Sequence, residues 1–320
     1  MKVYALKNNQ LKIRECSSSG GAFYSIAKQI LLDGGIVYGA AFDEQNNVVH
    51  LSVDNIESME RLMGSKYVQS NLGNVFKDIS RQLDFGKKVL FSGTPCQVAA
   101  VKRFLGKRAE TDMFYTCDII CHGVPSPEVF AEYCRYIEKE NNESIVKISF
   151  RNKKEFDWKD CKETIELSSS KSIVMNEWMR LFYGHEIMRQ SCYKCRFTNL
   201  NRQGDITLGD FWGIERVKCE FADNKGVSLI LVNSNKGMTL FKAITNETTS
   251  LEADIKDTVQ PQLYKPIRKP ILRGIFWRIY KKMGSNYAFR MIGNENSIYN
   301  QICEIIIHCK SSIKKVISHG

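Results

Sequence analysis

Residues 89–105 have the sequence VLFSGTPCQVAAVKRFL, in which a β-rich run, a tight turn and a helical pattern follow one another directly. Thr94 suits the N-cap of the helix, and Pro95 suits its first position. Cys96 then falls in the first helical turn, where free backbone N–H groups and the helix dipole favour a thiolate over a thiol. An ordinary strand-to-helix turn with an incidental cysteine is the alternative interpretation.

Strand and helix signals alternate on both sides of this stretch. The spacing of apolar residues predicts helices over Ala22–Leu32, Asn71–Leu83, Gln97–Leu105 and Pro127–Asn141, and strands over Ile36–Phe42, Val48–Val53, Lys88–Ser92 and Phe114–Ile120. Further strands are predicted over Ile145–Phe150, Thr164–Leu167, Ile206–Leu208 and Val227–Val232. This order predicts an α/β or mixed α+β fold.

Length and composition limit the class of protein. A chain of 320 residues with 43% hydrophobic residues can bury a large core and form two domains. The first residues, MKVYALKNNQLK, lack the apolar core of a secretory signal, which predicts a cytoplasmic protein with reduced thiols. No uncharged apolar run reaches the length of about 18 residues that a membrane-spanning helix needs.

Cysteine spacing indicates a metal or redox site. The chain has 11 cysteines, and Cys192 and Cys195 form a CxxC pair. Cys117 and Cys121 would lie about 13 Å apart on a strand with a rise of ~3.3 Å per residue, too far for one metal ion. Cys121, at the end of the strand before HGVPSP, is therefore the better ligand. Cys96, Cys121, Cys192 and Cys195 together make four thiols, the number that binds a 4Fe-4S cluster. The other cysteines are predicted to be core or surface thiols: Cys16, Cys134, Cys161, Cys219, Cys303 and Cys309.

Three loop segments contain residues that suit a cofactor pocket. SSSGG at 17–21 precedes a helix, so its backbone N–H groups can bind a phosphate. GSKYVQS at 64–70 offers a positive charge and an aromatic face, and GDFWG at 209–213 places an acid and two aromatic rings between glycines. A plain N-cap and tight turns with core aromatics explain the same residues without a ligand.

The basic charge of the chain is concentrated at its end. From Arg268 onward there are ten Lys and Arg against two Glu, within an overall net charge of +11. Ile271–Met283 mixes aromatic and basic residues, which suits either a terminal helix packed on the protein or a helix at an anionic membrane surface. No recognised nucleic-acid-binding module accompanies the charge, so no nucleic acid is expected as a partner.

Taken together and in order, the motifs are more specific than any of them alone. SSSGG, GGIVYGAAFDE, GSKYVQS, VLFSGTPCQVAAVKRFL, CHGVPSPEVF, CYKCRF and DITLGDFWG resemble the beta-subunit family of coenzyme F420 hydrogenases and dehydrogenases. The likeness covers roughly Tyr4 to Val232, and it is nearest to bacterial members found with exopolysaccharide synthesis genes. The resemblance implies an N-terminal family domain at 1–84, a C-terminal cluster- and flavin-binding domain at 85–262 and a basic helical tail at 263–320.

The resemblance also implies cofactors and site residues, because members of this family hold FAD beside a 4Fe-4S cluster. The implied cluster ligands are Cys96, Cys121, Cys192 and Cys195. The implied flavin contacts, among which Lys66 is the leading charged one, are Ser18, Ser19, Gly20, Gly21, Lys66, Tyr67, Gln69, Asp210 and Trp212. His122 either donates a proton or hydrogen bond near the flavin or a cluster sulfur, or is a structural turn histidine.

One departure from the family shapes the expected partners. Many bacterial relatives begin with a ferredoxin-like domain that carries two cysteine-rich runs, whereas this chain starts almost directly at YALKN. We therefore expect a separate ferredoxin or partner subunit to exchange electrons with an oxidoreductase whose small-molecule substrate is unidentified. Coenzyme F420 need not be used, and the expected context is polysaccharide biosynthesis. The alternative hypothesis is a non-redox, zinc-stabilised binding or scaffold protein.

Overall fold

The protein is described from a computed structural model, which covers residues 1–270, 272–294 and 297. Its strands are β1 Lys2–Asn8, β2 Ile36–Phe42, β3 Val48–Val53, β4 Val89–Gly93, β5 Phe114–Ile119, β6 Ile145–Ser149, β7 Glu163–Leu167, β8 Ser172–Met175, β9 Ile206–Asp210, β10 Ser228–Val232 and β11 Thr248–Ala253. The mixed α/β fold predicted from the sequence is confirmed.

The helices pack on both faces of the main sheet and against the small sheet. They are α1 Leu11–Cys16, α2 Ala22–Leu32, α3 Val75–Asp84, α4 Pro95–Leu105, α5 Pro127–Asn141, α6 Glu177–Tyr183, α7 Ile214–Val217, α8 Asn235–Ala243, α9 Arg273–Met283 and α10 Ser285–Ala288. Among the described residues, no helix is both long and apolar enough to cross a membrane.

Eight strands form one mixed sheet in the order β11-β1-β10-β9-β5-β4-β2-β3. The neighbours β9, β5, β4 and β2 run parallel, and the remaining pairs are antiparallel. The division between residues 84 and 85 stays a prediction; β2, which precedes it, pairs directly with β4, which follows it. A separate antiparallel sheet has the order β6-β7-β8.

The parallel strands place the loops of interest at one edge of the sheet. Residues of β4 and β5 are buried on both faces, as the apolar runs VLF and FYTC require. Since the carboxyl ends of parallel strands share an edge, the segments after β4, β5 and β9 emerge side by side. These segments contain Cys96, Cys121 and Trp212.

Two helical layers enclose the main sheet. Ile26 of α2 and Phe241 of α8 belong to the core on one face, and Ile79 of α3 and Val98 of α4 belong to the core on the other. The small sheet has its own apolar core with α5, α6, α9 and α10, in which Trp178 is fully buried. Burial of these large apolar side chains provides the main favourable contribution to folding.

Helix α9, which lies within the described part of the predicted basic tail, packs on the body of the protein. Phe276 is fully buried, and the Trp277 indole N–H donates a hydrogen bond to the Glu186 carbonyl at 3.2 Å. The Tyr280 hydroxyl bonds to the Glu132 carboxylate. These aromatic rings are therefore committed to intramolecular packing, and the residues after 297 lie outside the described part of the chain.

Candidate functional site

Two adjoining cavities lie at the carboxyl edge of the parallel strands. The small cavity has a volume of about 50 Å³, and its walls include all four predicted ligand cysteines: Cys96, Cys121, Cys192 and Cys195. The large cavity has a volume of about 630 Å³, which is within the range of ligand pockets of about 300–1,000 Å³. Three of the cysteines also line the large cavity: Cys96, Cys121 and Cys192.

The β4–α4 turn positions Cys96. Helix α4 begins at Pro95 with Thr94 as N-cap, as the sequence indicated, and Thr94 and Gln97 form a reciprocal capping box. Cys96 is exposed in the first turn, and its Sγ lies 3.1 Å from the Thr94 hydroxyl. Cys96 therefore lies in the first turn of α4, as predicted.

The turn after β5 positions Cys121. The Gly123 N–H donates a hydrogen bond to the Cys121 Sγ at 3.3 Å, while burial raises the pKa of that thiol to about 12. Gly123 has a φ of +97°, and a Cβ there would lie 3.1 Å from the Cβ of Cys192. Glycine thus lets the two cysteine segments approach each other closely. Cys117, which the sequence analysis set aside in favour of Cys121, is fully buried within β5, where burial raises the pKa of its thiol.

A short 3₁₀ helix over Gln190–Lys194 carries Cys192, and Cys195 follows it directly. Burial also raises the pKa of the Cys192 thiol. Arg202 fixes the loop that comes next, because it donates to the Phe197 carbonyl at 3.1 Å and forms a buried ion pair with Asp118 at 3.2 Å. No sequence motif indicated Arg202, although it lines the small cavity.

The arrangement of the thiols does not suit a single ion. Among the residues that the structure describes, no three His, Cys, Asp or Glu side chains are close enough together to hold one metal ion. This geometry gives no support to the zinc-stabilised alternative, since a structural zinc ion needs four ligands at about 2.0–2.3 Å. In an iron-sulfur cubane each thiolate binds a different iron atom, so four thiols around a common cavity are a suitable donor set.

The SSSGG segment lines the large cavity through Ser17, Ser18, Ser19 and Gly21. Gly21 is the N-cap of α2 with a φ of +90°, and the Ser18 hydroxyl accepts a hydrogen bond from the Ser65 N–H at 2.6 Å. Gly20 is not among the lining residues. A Cβ at Gly20 would lie 2.2 Å from the Leu6 carbonyl oxygen, so this glycine allows close packing against β1.

The predicted segment GSKYVQS also lines the large cavity. The Lys66 ammonium donates to the carbonyls of Met63 at 2.7 Å and Arg61 at 3.1 Å, and burial lowers the pKa of Lys66 to about 7. Tyr67 packs against the ring of Phe182, with ring centroids 4.6 Å apart. Gln69 Oε1 is buried and has no hydrogen-bond partner among the described residues.

His50 lines the same cavity, although no sequence motif indicated it. Only 7% of its surface is exposed, its ring stacks on Phe91, and its Nε2 lies 2.9 Å from the Ser92 carbonyl oxygen. Burial lowers the pKa of His50 to about 4. Its Nδ1 has no hydrogen-bond partner in the part of the chain that is described. The one available signal was an inward-facing position of β3, two residues after the buried Val48.

Asp210 and Trp212, both predicted, line the large cavity but are also held by neighbouring residues. The Asp210 carboxylate accepts hydrogen bonds from Arg151 at 2.6 Å and from the Trp158 indole at 2.8 Å. Trp212 stacks on Trp158, with centroids 4.6 Å apart and planes at 7°. Gln260 donates to the Asp210 backbone carbonyl at 2.6 Å.

His122 lies at the junction of the two cavities and lines both. Its ring meets Tyr183 edge-on with centroids 6.3 Å apart. Burial, together with nearby His185, lowers the pKa of His122 to about 4. The imidazole is therefore neutral at neutral pH in this arrangement and can donate one N–H. Its catalytic role stays a prediction.

Comparison with known proteins identifies the family. The family model for the C terminus of the coenzyme F420 hydrogenase/dehydrogenase beta subunit matches residues 86–258. No curated protein sequence matches the chain. One chain of the F420-reducing NiFe hydrogenase complex from Methanosarcina barkeri has the same fold, with 16% sequence identity and a TM-score of 0.54 over 93% of this chain and 94% of that chain. The protein therefore belongs to the family of coenzyme F420 hydrogenase and dehydrogenase beta subunits.

Proposed function

We propose that the protein is a flavin- and iron-sulfur-dependent oxidoreductase that passes electrons between an external carrier and a small-molecule substrate. The observation that carries the proposal is the convergence of four cysteines, from three separate segments, on one cavity that adjoins a much larger one. Membership of a redox family supports the same class of function.

A 4Fe-4S cluster would be held by Cys96, Cys121, Cys192 and Cys195. Such a cluster carries one electron at a time. The Gly123 N–H already donates to the Cys121 sulfur, and hydrogen bonds of this kind to ligand sulfurs tune the reduction potential of a cluster. Arg202 and Asp118 would keep the loop after Cys195 in place whether or not the cluster is bound.

FAD would occupy the large cavity, where SSSGG is suited to its phosphates and Lys66 to its ring system. A bound flavin exchanges two electrons with a substrate and one electron with a cluster. Two buried polar atoms without partners among the described residues, His50 Nδ1 and Gln69 Oε1, support a polar ligand in this cavity. A buried acceptor left unpaired costs about 1–3 kcal/mol, which a bound donor would recover.

The proposed electron carrier is a ferredoxin or another subunit. Three exposed basic residues, Arg189, Lys194 and Arg196, flank the CxxC segment. A basic surface beside the proposed cluster favours an acidic carrier through electrostatic steering. The polysaccharide context, a cytoplasmic location and contact of the tail with a membrane stay proposals that rest on the sequence alone.

Anaerobic purification followed by iron, sulfide and flavin analysis tests the function. We expect about four irons and one flavin per chain, with the broad absorbance of an iron-sulfur flavoprotein. Cys121→Ala should lose most of the iron, whereas the matched control Cys117→Ala should keep it, because Cys117 is a core residue. Colourless wild-type protein without iron or flavin would overturn the proposal.

A further inference from the structure

The large cavity contains a histidine whose hydrogen-bonding role is fixed by its surroundings. His50 Nε2 is 2.9 Å from the Ser92 carbonyl oxygen, which can only accept a hydrogen bond. The proton of a neutral imidazole must therefore be on Nε2. Nδ1 is then a hydrogen-bond acceptor, and it has no partner among the described residues.

The charge state of His50 is also fixed. Burial lowers the pKa of His50 to about 4, and the nearby positive charge of Lys66 acts in the same direction. The ring stacks on Phe91 with centroids 5.2 Å apart, which holds its orientation. At neutral pH the cavity wall therefore presents one oriented acceptor with no competing protonated form.

Lys66 supplies the complementary donor. In the protonated form of Lys66, two of its three N–H groups are directed to backbone carbonyls, and the third has no partner among the described residues. An acceptor beside a cationic donor matches a ligand edge that carries an N–H next to a carbonyl oxygen. The pyrimidine ring of a flavin has such an imide edge, and the sugar and phosphate groups of FAD do not.

We propose that His50 and Lys66 bind the imide edge of the flavin, with His50 Nδ1 accepting a hydrogen bond from the flavin N3–H and Lys66 donating to the adjacent carbonyl oxygen. Gln69 Oε1 is a second acceptor on the same cavity that has no partner among the described residues. This inference rests on the proposed function, and it adds a positioning residue, His50, that selects the flavin through its ring and not through its phosphates.

The test compares the binding of FAD and of 3-methyl-FAD, which lacks the N3–H, to full-length protein from which the flavin has been released and the cluster retained. Dissociation constants are measured by quenching of flavin fluorescence. Wild-type protein should bind 3-methyl-FAD about tenfold more weakly, equivalent to ~1.4 kcal/mol for one hydrogen bond.

Two substitutions assign this difference to one atom. In His50→Gln the side-chain amide reaches the position of Nε2 and preserves the bond to Ser92, but the Nδ1 acceptor is lost. We expect FAD to bind about tenfold more weakly to this variant and the ratio between the two flavins to fall to about one. His50→Asn places an amide oxygen near the position of Nδ1 and should keep most of the ratio.

The matched control is His185→Gln, because His185 does not line the large cavity and should leave the ratio unchanged. Equal binding of FAD and 3-methyl-FAD by wild-type protein overturns the inference while leaving the proposed function intact. If the tenfold ratio between the dissociation constants of 3-methyl-FAD and FAD persists in His50→Gln, the flavin N3–H is bound by another acceptor. This result also overturns the inference. If His50→Gln does not fold, the wild-type ratio and its retention in His50→Asn decide the question. Absence of any flavin binding refutes the proposed function itself.

Discussion

Two walls of the large cavity differ in how their polar groups are used. The tryptophan wall consists of Asp210 and Trp212 with Arg151 and Trp158 behind them, and its carboxylate is bound by two protein donors. The histidine wall consists of His50, Lys66 and Gln69, and two of its acceptors have no partner among the described residues. One wall is thus stabilised by its own contacts, while the other carries polar atoms that a ligand can pair.

This difference changes how the motifs are interpreted. GDFWG suits a cofactor pocket because an acid and aromatic rings lie between glycines, yet its acid is committed to Arg151 and Trp158. His50 lies in an ordinary strand, yet its Nδ1 acceptor has no partner within the part of the chain that the structure describes. Folding stability and ligand binding commonly oppose each other at such sites, because unpaired polar groups destabilise the free protein.

The largest expected effect is on the tryptophan wall. The Arg151 side chain is 3% exposed and that of Asp210 is 17% exposed, so Arg151→Met leaves a largely buried carboxylate without its cation. We expect the free energy of unfolding to fall by about 3–5 kcal/mol, measured by urea denaturation. A loss below about 1 kcal/mol would mean that Asp210 does not depend on Arg151 and is available to a ligand.

A pH titration examines the histidine wall. The pKa of Lys66 is lowered from 10.5 in its ordinary state to about 7 in the fold, so the unfolded chain binds more protons between these values. Flavin-free protein should therefore become more stable as pH rises from 7 toward 10.5, because the desolvated charge is lost. Allowing for partial exposure of the side chain, the gain is about 2 kcal/mol.

Lys66→Met should remove most of the rise in stability that flavin-free protein shows between pH 7 and 10.5. Burial also lowers the pKa of Lys153 to about 7, so a rise of the same sign from Lys153 remains in the variant. Stability profiles of wild type and Lys66→Met that run parallel across this pH range would contradict the assignment to Lys66. Bound flavin should flatten the wild-type profile, since a hydrogen-bond acceptor near the ammonium favours its charged form.

A smaller effect is expected at Gln69, where a substitution should raise the stability of the protein instead of lowering it as Arg151→Met does. Gln69→Met replaces a buried acceptor, which has no partner in the described part of the chain, with an apolar side chain of similar length. This should stabilise the flavin-free protein by about 1 kcal/mol. The matched control is Gln97→Met, because the Gln97 side chain accepts a bond from the Thr94 N–H at 3.0 Å and donates to Ser70 at 2.9 Å. That control should destabilise by about 1 kcal/mol.

Thermal unfolding of the two variants compares two amides in one cavity. Gln97 is hydrogen-bonded to Thr94 and Ser70, whereas Gln69 Oε1 has no partner among the described residues. If both variants are destabilised to the same extent, the Gln69 side chain stabilises the fold through contacts within the protein. The proposed difference between the tryptophan wall and the histidine wall would then be wrong. The flavin affinity of Gln69→Met should fall even as its stability rises.

Local patterns predicted much of the fold. The helix Ala22–Leu32 and the strands Ile36–Phe42 and Val48–Val53 have the predicted bounds, because apolar spacing decides them. The position of Cys96 in the first turn of α4 followed from Thr94 and Pro95, which act within three residues of the cysteine. Signals of this kind need no information about distant parts of the chain.

Features that depend on distant partners could not be predicted. Strand β1 pairs with β10 and β11 from the other end of the chain, and no strand was predicted over Lys2–Asn8. His50 is held by Ser92, which is 42 residues away, and the loop residue Arg202 is held by Asp118 on β5. Each of these side chains looks ordinary in its local sequence, and only the tertiary fold determines whether its polar atoms are paired.

The smallest expected loss of stability comes from breaking an ion pair outside both walls. This exposed pair is the reference for the largely buried pair of Arg151 and Asp210. Arg108 and Asp84 lie 2.9 Å apart with 43% and 63% of their side chains exposed, so Arg108→Ala should cost about 0.2–1 kcal/mol. High salt should abolish this loss, since screening is strong between exposed charges, whereas most of the loss in Arg151→Met should persist at about 1 M salt because that pair is largely buried. A loss in Arg151→Met that disappears with salt in the same way would place both pairs in one class. The tryptophan wall would then be as accessible to solvent, and to a ligand, as the histidine wall.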